Sequence, residues 1–195
     1  MKKSLITALL AAFAAPAFAD GTRLSGFYAG VTMGMGSANF SSPAGSGLVV
    51  DNTKSRGVYG MFGGYRFTPN LAAELDYTGA SYIYTTTPAG VRYLSKQIVF
   101  SAVAVGSYPI NDTFSLYGKL GLSSASSENN GLGEQTSRRT GLTGGVGAEY
   151  KFTPQIAGRL GVDSYAVAAT IPTAVPALTQ NSRATVVNMG VSYSF

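Results

Sequence analysis

The sequence predicts an all-β fold: an eight-stranded antiparallel transmembrane up-and-down β-barrel. Three observations predict it. Apolar and polar residues alternate with a period of two, which sends them to opposite faces of a strand. The alternating stretches are joined in turn by tight Pro/Asn turns and by long polar segments, the asymmetry of a membrane barrel. Only 12% of the residues are charged, against about 25% in an ordinary soluble domain, and mean hydropathy is +0.15. Lipid outside a barrel resolves that shortage of charge, since half of each strand is then apolar and exposed.

The N-terminus carries an export signal. Lys2 and Lys3 are followed by an apolar run over residues 5–15, then by the small-x-small cleavage pattern Ala17-Phe18-Ala19, with Asp20 as the expected mature start. Residues 1–19 are therefore expected to be a cleaved signal peptide, and residues 20–195 a single barrel domain. No other stretch reaches the roughly 18 apolar residues of a membrane helix. Net charge is +5, of which Lys2 and Lys3 belong to the leader. The remainder contains no compact basic run that would point to nucleic acid.

The strands follow in order. Residues 26–38 and 56–67 alternate less cleanly than the rest. Residues 71–84 place Leu71, Ala73, Leu75 and Tyr77 on one face and Ala72, Glu74, Asp76 and Thr78 on the other. Residues 96–108 are apolar on both faces. Residues 113–123 set Phe114, Leu116, Leu120 and Leu122 against Ser115, Tyr117 and Lys119. Residues 138–152 set Leu142, Val146, Tyr150 and Phe152 against Thr143, Glu149 and Lys151. Residues 156–166 set Ile156, Leu160 and Val162 against Arg159 and Asp163, and residues 184–195 set Val187, Met189, Val191, Tyr193 and Phe195 against Asn188, Gly190 and Ser192. Each covers the roughly 9–11 residues that a tilted membrane strand needs.

Thr68-Pro69-Asn70, Pro109-Ile110-Asn111-Asp112 and Thr153-Pro154-Gln155 are turn sequences. Long polar segments fall at residues 40–55, 85–95, 124–137 and 169–183, and are expected as external loops. An even strand count then leaves both termini in the periplasm. Closure of the first strand on the last leaves no edge unpaired in lipid. A soluble barrel with the faces reversed fits the alternation equally well. The membrane is favoured by outward-assigned Tyr65, Phe67, Tyr108, Tyr150 and Phe152 beside the tight turns, where an aromatic girdle belongs.

Three groups of motifs carry a family resemblance. The last residues, with Asn188, Gly190, Tyr193 and a final Phe195, resemble the terminal signal that the barrel-assembly machinery reads in outer-membrane barrels. The segments Tyr65-Arg66-Phe67-Thr68-Pro69-Asn70 and Tyr150-Lys151-Phe152-Thr153-Pro154-Gln155 resemble turns of the OmpA-like transmembrane domain. Gly26-Phe27-Tyr28-Ala29-Gly30-Val31 is similar to the opening strand of the wider OmpA-like and opacity-protein group. The resemblance implies a Gram-negative outer membrane location. It also implies a gating role for a glutamate–arginine pair at Glu74 and Arg159. The chain departs from the pattern in ending at the eighth strand, so a C-terminal peptidoglycan-binding domain is not expected. It departs again in placing Val105 where a lumen lysine stands.

Inward-assigned Glu74, Asp76, Lys119, Glu149, Arg159 and Asp163 form a candidate lumen charge network, with Arg66 and Lys151 lower, near the turns. Interior charges cost several kcal/mol each unless paired. The expected pairs are Glu74 with Arg159 or Lys119, and Glu149 with Arg159 or Lys119. Such a network either plugs the barrel or gates it. The carboxylate pairs Glu74/Asp76 and Glu149/Asp163 suit sugar hydrolysis poorly, because a polymer cannot reach a narrow lumen. The chain has no histidine and no cysteine. It therefore lacks the usual general base, the usual metal ligand and any thiolate, and no enzyme activity, metal or cofactor is expected. Gly141, Gly144, Gly145 and Gly147 lie within an alternating strand with no following helix, so they suit a barrel wall better than a nucleotide loop.

Lys54, Arg56, Arg92, Lys96, Arg138, Arg139 and Arg183 fall in or beside the long segments. They form a basic rim suited to phosphate-rich lipopolysaccharide. The expected function is a non-enzymatic barrel that contributes to envelope integrity and to surface interaction. Its partners would be outer-membrane lipid, lipopolysaccharide and a host surface ligand. The alternative is a narrow ion channel or a carrier of small hydrophobic molecules.

Overall fold

A computed structural model of the chain describes residues 26–38, 49–50, 53–87, 91–129, 135–171 and 178–195. The signal peptide assigned to residues 1–19 lies outside the described residues. Eight long strands follow one another: β1 (Gly26–Ala38), β2 (Thr53–Thr68), β3 (Leu71–Thr87), β4 (Val91–Pro109), β5 (Phe114–Asn129), β6 (Gln135–Lys151), β7 (Ile156–Ile171) and β8 (Leu178–Ser194). Each pairs antiparallel with the next. The ring closes where β1 meets β8, with Val31 opposite Val191 and Met33 opposite Met189. Phe195 N–H donates to the Phe27 carbonyl (3.0 Å) at the end of that seam. A two-residue strand, Val49–Val50, pairs with Thr86 and Thr87 of β3. Closure gives the wall strands neighbours on both sides, as a lipid environment demands.

The turns sit where Pro and Asn/Asp place them. Asn111 Oδ1 accepts from the backbone N–H of Thr113 (3.0 Å) and of Phe114 (2.7 Å). Thr153 Oγ1 accepts from Ile156 N–H (2.9 Å). Each side chain replaces a backbone acceptor and holds the chain in its reversal.

Period two holds around the ring. Leu75, Leu120, Val146, Leu160 and Met189 project outward and are exposed, whereas Glu74, Tyr117, Glu149, Arg159 and Asn188 are buried. An apolar exterior around a polar interior is the pattern of a lipid-embedded barrel and the reverse of a soluble one. The turn end carries the girdle. Phe27 and Tyr65 meet edge-on (4.8 Å), as do Tyr150 and Phe152 (5.2 Å) and Tyr193 and Phe195 (5.1 Å).

The strands run further outward than the alternation suggested. Residues 85–87, 91–95, 124–129, 135–137, 169–171 and 178–183 belong to strands, not loops. The physical reason is that alternation reports lipid contact. Above the bilayer both faces of a strand can be polar, so the hydrophobic signal stops while backbone pairing continues.

Candidate functional site

The lumen is organised in layers. Near the turn end, Tyr28, Phe62, Ala72, Val103, Val105 and Tyr117 form an apolar cluster. Toward the other end, Val58, Ala80, Val99, Ala125, Tyr165, Ala184 and Val186 form a second. Among the described residues, Glu74, Glu149 and Arg159 form one charge network and Asp76, Lys119 and Asp163 another, with no ion pair between the two.

The lower network centres on Arg159. Its Nε donates to Glu149 Oε2 (2.8 Å) and its Nη1 to Glu74 Oε1 (2.6 Å). Glu149 is the direct cross-strand neighbour of Arg159. Glu74 stands on β3, four strands from β7 in a ring of eight, so this pair crosses the full width of the barrel. Tyr28 hydroxyl donates to the same Glu74 oxygen (2.7 Å), and Arg66 approaches Glu149 (3.5 Å). The guanidinium of Arg159 also lies over three rings: Phe62 at 4.7 Å, Tyr28 at 5.2 Å and Tyr117 at 5.4 Å. Arg suits such a place because its flat, weakly hydrated head can stack and donate at once. Glycine admits the rings. A Cβ at Gly147 would sit 2.5 Å from the Tyr117 hydroxyl, and one at Gly64 would sit 2.6 Å from that of Tyr28.

The upper network centres on Lys119, whose Nζ lies 3.0 Å from Asp163 Oδ2 and 3.6 Å from Asp76 Oδ2. Asn188 Nδ2 and the Tyr165 hydroxyl also donate to Asp163 Oδ2, at 2.8 and 3.2 Å. Asp76 Oδ1 and Oδ2 and Asp163 Oδ1 accept no protein hydrogen bond. A cavity of about 20 Å³ lies beside them, lined in part by Thr32, Asp76, Lys119 and Asn188.

The structure thus brings all six lumen residues inward, and of the two partners expected for each glutamate it selects Arg159. Lys119 takes the aspartates, while Arg159 takes both glutamates. Register explains the choice: Lys119 faces Gly145, and Gly145 faces Asp163. With no side chain between them, Lys119 reaches over β6 to Asp163. Val105 is 2% exposed and faces the lumen, so β4 contributes an apolar contact where the resemblance called for a lysine. The sequence reading missed Tyr28 and Phe62 as partners of Arg159. Inward alternation near Arg159 was the available signal, but it is blurred on β1 and β2, where glycines interrupt it.

Of the residues that the resemblance assigned to a terminal signal, Asn188 is buried and bonded to Asp163, Gly190 lines the lumen against β1, and Tyr193 and Phe195 face outward. Of the basic rim, Lys96, Arg138 and Arg183 are exposed, and Arg139 is half-buried on the lumen side. All four stand on strands, not on loops. Lys54, Arg56 and Arg92 are on strands too, but their side chains lie outside the described residues.

Closed pairing, an apolar exterior and a charged, packed interior define a small transmembrane barrel of the Gram-negative outer membrane. The chain belongs to the outer membrane protein beta-barrel domain family, whose pattern matches residues 5–195. Among solved structures it is similar to Neisserial surface protein A, at 19% identity and a TM-score of 0.67, over 88% of this chain and 99% of that one. It is similar to OprG of Pseudomonas aeruginosa at 15% identity and 0.60, over 91% and 99%. It is similar to Ail, the attachment invasion locus protein of Yersinia pestis, solved with the heparin analogue sucrose octasulfate, at 13% identity and 0.51, over 87% and 99%. At these identities the likeness is one of fold. No curated protein matches the chain by sequence.

Proposed function

We propose that this barrel is a non-enzymatic surface protein whose lumen is a plug and whose outer rim makes the contacts, serving envelope integrity and adhesion or lipopolysaccharide binding. The observation that carries this reading is the Glu74–Arg159–Glu149 bridge, which crosses the lumen between opposite strands and is packed among three aromatic rings. An eight-stranded barrel has room for side chains and little else. With Arg66 beside Glu149 the strut is neutral and fully paired, so none of its own groups is free to act as a base or nucleophile. Exposed Lys96, Arg138 and Arg183 supply positive charge at the far end from the turns. The attachment name of Ail and its sulfated ligand give a precedent in the same fold for polyanion contact. On this reading Asn188, Gly190, Tyr193 and Phe195 also serve as the address read by the barrel-assembly machinery, and both termini lie in the periplasm.

Deleting the gene and assaying envelope leakage beside host-cell and matrix binding tests the role. At least one should change, and loss of neither overturns the reading. Planar-bilayer recording tests the plug. The wild type and Arg159→Ala should both lack discrete conductance. Unitary steps in the wild type would favour the narrow-channel alternative.

A further inference from the structure

We propose that the outer wall over β2–β6 holds the phosphorylated headgroup of one lipopolysaccharide molecule, with its acyl chains lying on the aromatic pair below. This inference rests on the surface-interaction reading and narrows it to one side of the barrel. Successive register partners Tyr59, Gly79, Ile98, Ser126 and Arg138 form a lateral row on the outward face of five neighbouring strands. Within that row is a hollow of about 140 Å³ lined by Tyr59, Ala80, Ser81, Lys96, Gln97, Ile98 and Ser126.

Glycine makes the hollow. A Cβ at Gly79 would meet the Tyr59 ring at 2.6 Å, so the ring lies over the bare backbone and becomes a side wall. Lys96 stands within the hollow, and Arg138 flanks it beyond Ser126. The two cations are set two strands across and two residues along from each other, about 12 Å. That spacing suits phosphates at separated positions on one headgroup better than a single point charge. Hydroxyls of Ser81, Ser126 and Tyr59 are available for its sugar and ester oxygens.

The level is that of a headgroup. A tilted strand crosses the bilayer in roughly 9–11 residues. Counted from the girdle residues Tyr108, Phe114 and Tyr150, the crossing ends near Ile98, Ser124 and Thr140. Lys96, Ser126 and Arg138 each stand two residues further out. Directly below, Tyr77 and Phe100 pack edge-on (5.2 Å) on the outward face. On β6–β8 and β1 the same level carries Leu142, Val162, Val187 and Met33 instead. A wall that gathers paired aromatic rings, hydroxyls and two cations on neighbouring strands suits an amphiphile seated there, whereas on β8 the exposed Arg183 and Thr185 stand above Val187.

Native mass spectrometry of the detergent-folded barrel tests this with bisphosphorylated lipid A, dephosphorylated lipid A and inorganic phosphate as probes. The wild type should retain one bisphosphorylated lipid A and hold the dephosphorylated form at least tenfold more weakly. Lys96→Glu with Arg138→Glu should lose at least tenfold in retention. Ser81→Leu, which fills the hollow without changing charge, should also weaken it. Lys151→Glu, at the turn end, should not. Heat-dependent gel mobility reports that each variant has folded. Equal retention by the double variant overturns the proposal, as does equal retention of dephosphorylated lipid. Displacement of the lipid by equimolar inorganic phosphate would make this a free-phosphate site and overturn it too. A leakage or adhesion phenotype on gene deletion beside unchanged lipid retention would remove the lipid site alone and leave the surface role standing.

Discussion

The two charge networks of the lumen solve one problem in different ways. Around Arg159, two carboxylates meet two guanidinium groups, a tyrosine hydroxyl and three rings, and the charges sum to zero. Around Lys119, two carboxylates share a single ammonium. One of them, Asp163, takes three donors on one oxygen, while Asp76 has only the longer contact to Lys119. The lower network is a finished strut. The upper one keeps an excess negative charge beside a small cavity. A buried ion pair is weak evidence for stability, but removing one partner is strongly destabilising. The two networks should therefore respond very differently to the same kind of substitution.

The largest effect belongs to the strut. Arg159→Ala leaves Glu74 and Glu149 buried with only Tyr28 and Arg66 to answer them, and empties the space between three rings. A loss of about 3–5 kcal/mol is expected, measurable as a lowered urea midpoint for unfolding from lipid vesicles. Lys119→Met should cost less, about 2–3 kcal/mol, because Asp163 keeps Asn188 and Tyr165 as donors. A larger loss at Lys119 than at Arg159 would invert the comparison and make the upper network the main support of the wall.

Much of this was legible in the sequence, for reasons that differ by region. On β3 and β5–β8 one face meets lipid and the other a polar lumen, so the alternation puts Glu74, Lys119, Glu149, Arg159 and Asp163 on one face, and the aromatic residues beside the turns make that face the inward one. The turns were legible because Pro69, Asn111 and Pro154 impose their own geometry. The strand ends were not, since polar residues above the bilayer carry no period. Partner choice was not legible either. That Lys119 reaches Asp163 depends on Gly145 standing between them, and that Glu74 meets Arg159 depends on β3 and β7 lying opposite each other after closure. Both are properties of the ring, and no single strand encodes them.

The smallest effect gives the finest test of the contrast. Asp76 and Asp163 are both buried and both contact Lys119, so composition alone would rank them equally. Their surroundings do not. Asp163→Asn weakens a charged acceptor of Lys119, Asn188 and Tyr165, and should cost about 2 kcal/mol. Asp76→Asn removes a charge that accepts no protein hydrogen bond and leaves Lys119 paired one to one with Asp163. Its cost should stay below about 1 kcal/mol, since replacing a poorly compensated buried charge by a neutral isostere recovers desolvation that pairing did not offset. Paired urea titrations in the same vesicles read the difference directly. Equal losses at the two positions would mean that water in the adjoining cavity satisfies Asp76 as fully as side chains satisfy Asp163, and the upper network would then be as complete as the lower.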